Sequence, residues 1–411
     1  MRQKSALLLA ALLTAGAPDA LAQTSSPPTL RWSDVAALID NDPRIDEARF
    51  RSEEARSAFD LARRAPNPIV ELQVGRTVSS EPARRPDLGL QLTVPLDWLN
   101  DRGLRLDAAS SEARAAELDA LATRLATTRH LRELFIRLAV EQARLRELKV
   151  LEADTEQLVR LVSLRVEKGE SRPIEKPRAE VELEKVRLEL ATVAADEETY
   201  RKQLATWLAG LPDAGFRVEV DLAALPELPS LEDAIAEALG QHPELRAAQT
   251  RLEARQAEIG IERRKRLPRF ALNAYAEQEP ERRVFGGGIG IELPVWNWNS
   301  AGIRRAEAAK AAQAAQAEAG ERELRARVIE AWGACKRSGL AAIRYGTEVM
   351  PRVEKASVTL ERTYQLGEAG LLDVIDARRS LVAARREQLE AQLQAQLECA
   401  RLQSLLGRET P

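Results

Sequence analysis

Few residues in this chain have the types and spacing that chemistry requires. The two histidines, His130 and His242, lie far apart, and neither has a cysteine or a second histidine nearby, so they define no metal site. Gly286-Gly287-Gly288-Ile289-Gly290 has the glycine density of a phosphate loop. No Lys-Ser or Lys-Thr follows it and the run sits in a strand pattern, where glycine lines a lumen or relieves crowding. Arg263-Arg264-Lys265-Arg266 is a basic cluster, suited to lipid headgroups or to a plain solvated helix end. No nucleophile, base and orienter group together, and there is no Gly-x-Ser-x-Gly. The carboxylates follow helical charge patterning rather than acid–base pairing. The residues thus point to no enzyme, no cofactor and no resident metal, and attention moves to the elements.

The chain has 411 residues, with 61 Lys+Arg against 64 Asp+Glu, a net charge of −3 that excludes a generally basic nucleic-acid binder. Hydrophobic residues make up 45% and charged residues 30%, which excludes compositional disorder. Aromatics are only 4%, while Ala, Leu, Glu and Arg dominate, as in long helices and coiled coils. Arg2 and Lys4, the apolar run Ala6 to Ala17 and Ala20-Leu21-Ala22 read as a signal peptide over residues 1–22. The sequence therefore describes an exported chain with no later apolar run of membrane-helix length. Such a chain meets a membrane with strands or an amphipathic surface.

The rest reads as a duplication. Pro43 answers to Pro243, Arg63-Arg64 to Arg263-Arg264 and Pro68 to Pro268, all at an offset of 200. Pro95 answers to Pro294 and Gly103 to Gly302 at 199, and Gly169-Glu170 to Gly367-Glu368 at 198. The expected division is a first repeat over 23–210, a linker over 211–229 and a second repeat over 230–411. Each repeat predicts a helix (Trp32 to Arg64; Leu231 to Arg266) and then a Pro-bounded strand pair. A very long helix follows (Arg102 to Lys168; Ala301 to Leu366), then a Gly-marked turn and a return helix (Pro173 to Ala209; Leu371 to Leu406). Leu183, Val186, Leu190 and Val193 step by 3, 4 and 3, the spacing of a narrow coiled-coil seam. Pro351 predicts a kink or register shift in the second long helix.

The strands predict a wet lumen inside an apolar skin. Val70, Leu72 and Val74 alternate with Glu71, Gln73 and Gly75, and Leu88, Leu90, Leu92 and Val94 with Gly89, Gln91 and Thr93. Phe270, Leu272, Ala274 and Ala276 alternate with Asn273, Tyr275 and Glu277, and Phe285 to Leu293 with Gly288, Gly290 and Glu292. Trp98, Trp296 and Trp298 fit an interfacial aromatic belt, and the polar loops 76–86 and 278–283 fit solvent-facing tips. Four strands close no barrel, because membrane barrels start at about eight. Open edges in lipid cost several kcal/mol per unpaired group, so chains must associate. Two chains give eight strands and three give twelve. A half-buried soluble sheet on an exported coiled-coil scaffold or stalk is the competing reading.

At this point the chain resembles the TolC-type outer membrane factors. The resemblance covers about residues 30–408, and its most specific stretch is Tyr364-Gln365-Leu366-Gly367-Glu368-Ala369-Gly370-Leu371-Leu372-Asp373-Val374-Ile375-Asp376-Ala377-Arg378-Arg379. Val166 to Glu175 is similar to the family's other hairpin tip. Leu293-Pro294-Val295-Trp296 and Arg178-Ala179-Glu180-Val181-Glu182-Leu183 look closer to the CzcC-like heavy-metal branch. The resemblance implies a mainly α homotrimer whose twelve-stranded outer-membrane barrel, four strands per chain, continues into a long periplasmic α-helical barrel. It implies a passive exit duct of a tripartite efflux system of the resistance-nodulation-division type, working with a periplasmic adaptor, an inner-membrane pump and outer-membrane lipid, and not with nucleic acid. Heavy-metal cations, drugs and type I secreted proteins all remain open as cargo.

The resemblance also assigns residues. Gly169 and Gly367 mark the tips that dock the adaptor. Asp373 and Asp376 face the periplasmic aperture, six carboxylates in a trimer, with Glu175 standing in the first repeat where Asp373 stands in the second. Tyr364 is placed to hydrogen-bond Glu175 and hold the mouth shut, while Ala369 replaces an arginine of that network in some relatives. Cys335 and Cys399 lie 32 residues either side of Gly367. In a hairpin turning at Gly367 to Gly370 the position level with Cys335 falls near Leu402, so Cys399 is offset by roughly three residues, about 4.5 Å along the axis. That offset leaves two readings, a disulfide or two separate buried thiols.

Overall fold

The computed structural model describes residues 28–75, 87–96, 98–208, 211, 215–278 and 282–408. The signal peptide read over 1–22, the loop 76–86 and residues 279–281 of the loop 278–283 lie outside these described residues.

The first half runs β1 (Thr29–Leu30), α1 (Trp32–Leu38), a 3-10 turn (Ile39–Asn41), α2 (Pro43–Arg63), β2 (Ile69–Gly75), β3 (Asp87–Pro95), α3 (Trp98–Glu167) and α4 (Glu175–Trp207). After β4 (Arg217–Val218) the order returns as α5 (Leu231–Gln241), α6 (Pro243–Arg264), β5 (Arg269–Gln278), β6 (Arg283–Glu292) and α7 (Ser300–Arg344). A π segment (Tyr345–Val349), α8 (Met350–Gln365) and α9 (Leu371–Leu405) complete it. The 70 residues of α3 make about 105 Å of helix, far beyond an ordinary core.

Two expected helices are each broken in two. Proline forces the residue before it out of helical geometry. Asp42 accordingly sits at φ −71°, ψ 130° and His242 at φ −61°, ψ 122°. Pro43 and Pro243 then open α2 and α6, where a missing N–H costs nothing. The expected disturbance at Pro351 takes the form of the π segment just before it. The Met350 amide reaches back to the Tyr345 carbonyl, five residues away, and the widened turn accommodates the proline ring.

The strands form one antiparallel sheet in the order β2-β3-β5-β6. Its register puts Val70 beside Leu92, Leu92 beside Ala274 and Ala274 beside Gly287, so a single apolar face crosses all four strands. That face is unburied in the protomer, with Phe285 78% exposed and Leu72 70% exposed. The other face carries Glu71, Gln91 and Tyr275 in one row, ending at Gly286. A Cβ at Gly286 would stand 2.3 Å from the Tyr275 ring, so glycine there makes room for the tyrosine. Among the described residues, β2 and β6 each have one unpaired edge.

The core is a set of patches strung along the helices. One packs Trp32, Val35 and Ile39 against Phe135, Leu138, Leu204 and Leu208. A second packs Ala234, Ala238 and Leu245 against Val328, Ala331, Leu402 and Leu406. Buried amides pin the segment between the halves. Gln142 accepts from the Val218 amide at 3.0 Å and donates to the Phe216 carbonyl at 3.3 Å, while Gln396 donates to the Ala224 carbonyl at 2.7 Å. The two-residue parallel pairing of β1 with β4 is too short to show in a sequence pattern.

Cys335 and Cys399 form a disulfide, stapling α7 to α9 with Cα atoms 4.7 Å apart inside the second core patch. Of the two readings left by the sequence, the bridge is the one adopted. Both cysteines point inward between packed helices, the condition that bridging requires. Closing a loop across 64 residues, the bridge contributes about 2–4 kcal/mol. Alkylation of denatured, unreduced protein should label no cysteine, and replacing both with alanine should lower the thermal midpoint. Two labelled cysteines per chain, or an unchanged midpoint, contradicts the staple.

Candidate functional site

The end of the molecule remote from the sheet is built from two hairpin tips. In each, a glycine takes left-handed backbone, Gly169 at φ 74° and Gly367 at φ 79°. Gly169 N–H donates to Val166 and Glu170 N–H to Arg165. Likewise Gly367 N–H donates to Tyr364 and Glu368 N–H to Thr363. This double bond pattern is the Schellman ending of a helix, and it satisfies carbonyls the helix leaves open. Added Cβ atoms would meet nothing within 4 Å, so the requirement for glycine is conformational rather than steric.

The tips pack on each other. Leu158, Val162 and Ala179 of the first hairpin bury Tyr364, Leu371, Val374 and Ile375 of the second. Three arginines tie the hairpins together. Arg165 donates to the Tyr364 and Gln365 carbonyls at 3.3–3.4 Å and lies 4.7 Å from the centre of the Tyr364 ring. Arg379 of α9 pairs with Glu182 of α4, its Nε 3.1 Å from Oε2. Arg378 donates to the Asp154 carbonyl at 3.1 Å and pairs with Glu361.

The residues singled out from the sequence all lie at this end. Asp373 is exposed, and its carboxylate accepts the Gly370 N–H at 3.0 Å, fixing the start of α9. Asp376 is exposed, 3.7 Å from Arg379. Glu175 is half-buried at the start of α4. Tyr364 is only 4% exposed, and its hydroxyl has no hydrogen-bond partner. The expected bond from Tyr364 to Glu175 is therefore not made in the protomer. Burial pushes the Tyr364 hydroxyl pKa up, against the pull of Arg165 and with a small push from Glu175. The contact that does hold this ring is Arg165, which sequence reasoning passed over. Arg165 and Glu182 read as ordinary charges of solvated helix faces, and only the packing of one hairpin on the other gives them partners.

The architecture now has counterparts. The profile of the outer membrane efflux proteins matches residues 35–210 and again 234–408. The chain belongs to the outer membrane efflux protein family. It is 27% identical over 355 residues to the cobalt-zinc-cadmium resistance protein CzcC of Cupriavidus metallidurans, covering 84% of this chain and 82% of that one. Its fold is similar to CusC, a transmembrane channel, at TM-score 0.77 and 18% identity over 92% of each chain. It is equally similar to the open state of the Neisseria gonorrhoeae outer membrane channel MtrE, at TM-score 0.79 and 20% identity over 92% of this chain and 89% of that one. This outer membrane efflux protein is thus an exit duct of the outer membrane that extends into the periplasm. Its fold is that of the trimeric channels, a β-barrel continued by a helical barrel.

Acid should loosen the clamp between the hairpins. The Arg379 hydrogen bond, outweighing burial and helped by Lys185, holds the Glu182 carboxyl below its ordinary value of 4.5. A carboxyl with a depressed folded-state pKa stabilises fully above its unfolded value, and that stability fades as pH falls through the folded value. The clamp is therefore complete at pH 7 and weakens only below about 4.5. Protection against hydrogen exchange across residues 365–370, taken relative to the intrinsic rate at each pH, should fall in acid, and Glu182→Gln should bring the lower protection and faster exchange to pH 7. Equal exchange in both proteins at pH 7 contradicts the clamp. Arg165→Ala should also speed this exchange, whereas Tyr364→Phe removes an unpartnered hydroxyl and should leave it unchanged or slower.

Proposed function

We propose that this duct is the exit for heavy-metal cations driven by a resistance-nodulation-division pump, with a periplasmic adaptor docking at the tips marked by Gly169 and Gly367. The observation that carries the cargo is the relationship to a cobalt-zinc-cadmium resistance protein, which extends over most of both chains. A duct of this kind selects little by itself, and the inner-membrane pump chooses what enters. The mouth adds electrostatics. Asp373 and Asp376 are exposed at the start of α9, and a ring of such carboxylates attracts cations and repels anions. Glu175 belongs to the same ring from the first hairpin. Tyr364, held by Arg165, keeps the second hairpin packed on the first and the mouth narrow. The exposed apolar sheet face takes outer-membrane lipid, and Trp296, 95% exposed just past β6, takes the headgroup boundary.

Two measurements test this reading. A strain lacking the gene should become sensitive to cobalt, zinc and cadmium while keeping its drug tolerance. Drug sensitivity with unchanged metal tolerance would assign another cargo. In planar bilayers, Asp373→Asn with Asp376→Asn should lower the preference for cations. Asparagine keeps an acceptor for the Gly370 N–H, so the change removes charge and not the helix start. Unchanged selectivity takes both residues out of the aperture. Gly169→Val with Gly367→Val imposes a left-handed backbone on a β-branched residue at about 1–2 kcal/mol per site. The trimer should still form, and adaptor crosslinking should fall.

A further inference from the structure

The two halves build the same junction with opposite chemistry. In each, a helix opened by proline meets the C-terminal end of that half's return helix. In the first half, α2 begins at Asp42-Pro43 where α4 ends, and Arg44 lies 3.8 Å over the Trp207 ring. In the second, α6 begins at His242-Pro243 where α9 ends, with Gly407 against Gln241 and Arg408 paired to Glu237.

The first junction supplies its own anion. Asp42 is 3% exposed, accepts the Arg44 amide at 2.8 Å and meets the Arg44 guanidinium at 3.0 and 3.1 Å. Burial opposes its charge, yet the Arg44 hydrogen bonds and charge leave its pKa below the ordinary value. A carboxylate at a helix N-terminus suits both the open amides and the macrodipole.

At the second junction the equivalent residue is His242. It caps nothing, is only 9% exposed, and its buried Nδ1 has no hydrogen-bond partner. It lines a cavity of about 460 Å³ together with Arg129, Arg327, Arg401 and Ser404. Arg327 pairs with Glu323, and Arg401 with Glu330 and Glu398. Among the described residues Arg129 makes no ion pair and the Ser404 hydroxyl makes no hydrogen bond. Glu244, the one carboxylate lining the cavity, is exposed and pairs with none of these arginines. Cationic side chains from α3, α7 and α9 thus converge on a helix N-terminus whose one carboxylate in the first turn, Glu244, is exposed and pairs with none of them, and whose capping position carries no anion. Burial, against the pull of the Glu244 carboxylate and with Arg327 adding to it, lowers the His242 pKa, so the imidazole offers a hydrogen bond rather than another charge.

We propose that this cavity is a binding site for one small tetrahedral oxyanion of the phosphate or sulfate class, taking at the second junction the place that the Asp42 carboxylate takes at the first. The cavity has room for such an ion with water. Donors approaching from three helices suit an ion with acceptors on every side. Once bound, it joins α6 and α9 into one continuous wall segment, as Asp42 does for α2 and α4 through Arg44 on Trp207.

The test uses the intact, detergent-purified protein with inorganic phosphate as probe and chloride at matched ionic strength and pH as control. Phosphate should broaden its own 31P resonance saturably and raise the thermal midpoint, and sulfate should compete. Arg129→Gln, a change at an exposed residue, should weaken the apparent affinity at least about tenfold, the scale of one charge-assisted contact. His242→Asp should abolish the phosphate response and raise the midpoint without phosphate, because it installs the first junction's carboxylate. No saturable response in the unmodified protein overturns the site, and so does a response of the same strength in both variants. A neighbouring chain's carboxylate already seated in the cavity would give the first of these results.

Discussion

The constraint on which the rest depends is the unpaired backbone at the two edges of a four-stranded sheet. The apolar face that crosses all four strands places the sheet in hydrocarbon, where no water can satisfy an open N–H or C=O. Pairing β6 of one chain with β2 of the next removes every edge only when the ring closes, and three chains of four strands each close it with twelve. Closure then fixes the rest. Each chain must deliver its strands in two hairpins, so each half needs helices entering and leaving the sheet, and the helices beneath become the staves of a second barrel.

Building a wall from staves leaves little room for a core. The buried residues form separate patches, and the joints between them carry specific devices. Arg44, held by Asp42 and seated on Trp207, closes one end-to-end helix joint. The disulfide Cys335–Cys399 fastens α7 to α9 close to the other. Gln142 and Gln396 hold the connecting segment to the wall. At the mouth, two Schellman turns end the long helices and three arginines hold hairpin to hairpin. Small numbers of polar contacts therefore govern places where an ordinary domain would rely on packing alone.

The elements were legible because their signals are periodic and long. Strand alternation, a helix of some 70 residues and glycines at matching offsets each repeat across the chain. What escaped the sequence is local or depends on pairs. The break at Pro43 disappeared inside a long helical pattern, although proline at a helix start was the available signal, whereas the bend at His242-Pro243 was readable from its proline. The disulfide depended on a facing that sequence distance does not define. Arg165 and Glu182 looked like any charges on a wet helix, and Tyr364 looked like a hydrogen-bond donor to Glu175 until packing buried its hydroxyl beside Arg165. The contrast between Asp42 and His242 was present in the sequence, but its meaning needed the cavity and its arginines.

The central claim is that three chains close one barrel in the outer membrane. Native mass spectrometry of the protein extracted by detergent from purified outer membranes tests it most directly. The account predicts a particle of three chains that persists until the sheet itself unfolds. A single chain recovered from the soluble periplasmic fraction, or a stable particle of any other number, would contradict it.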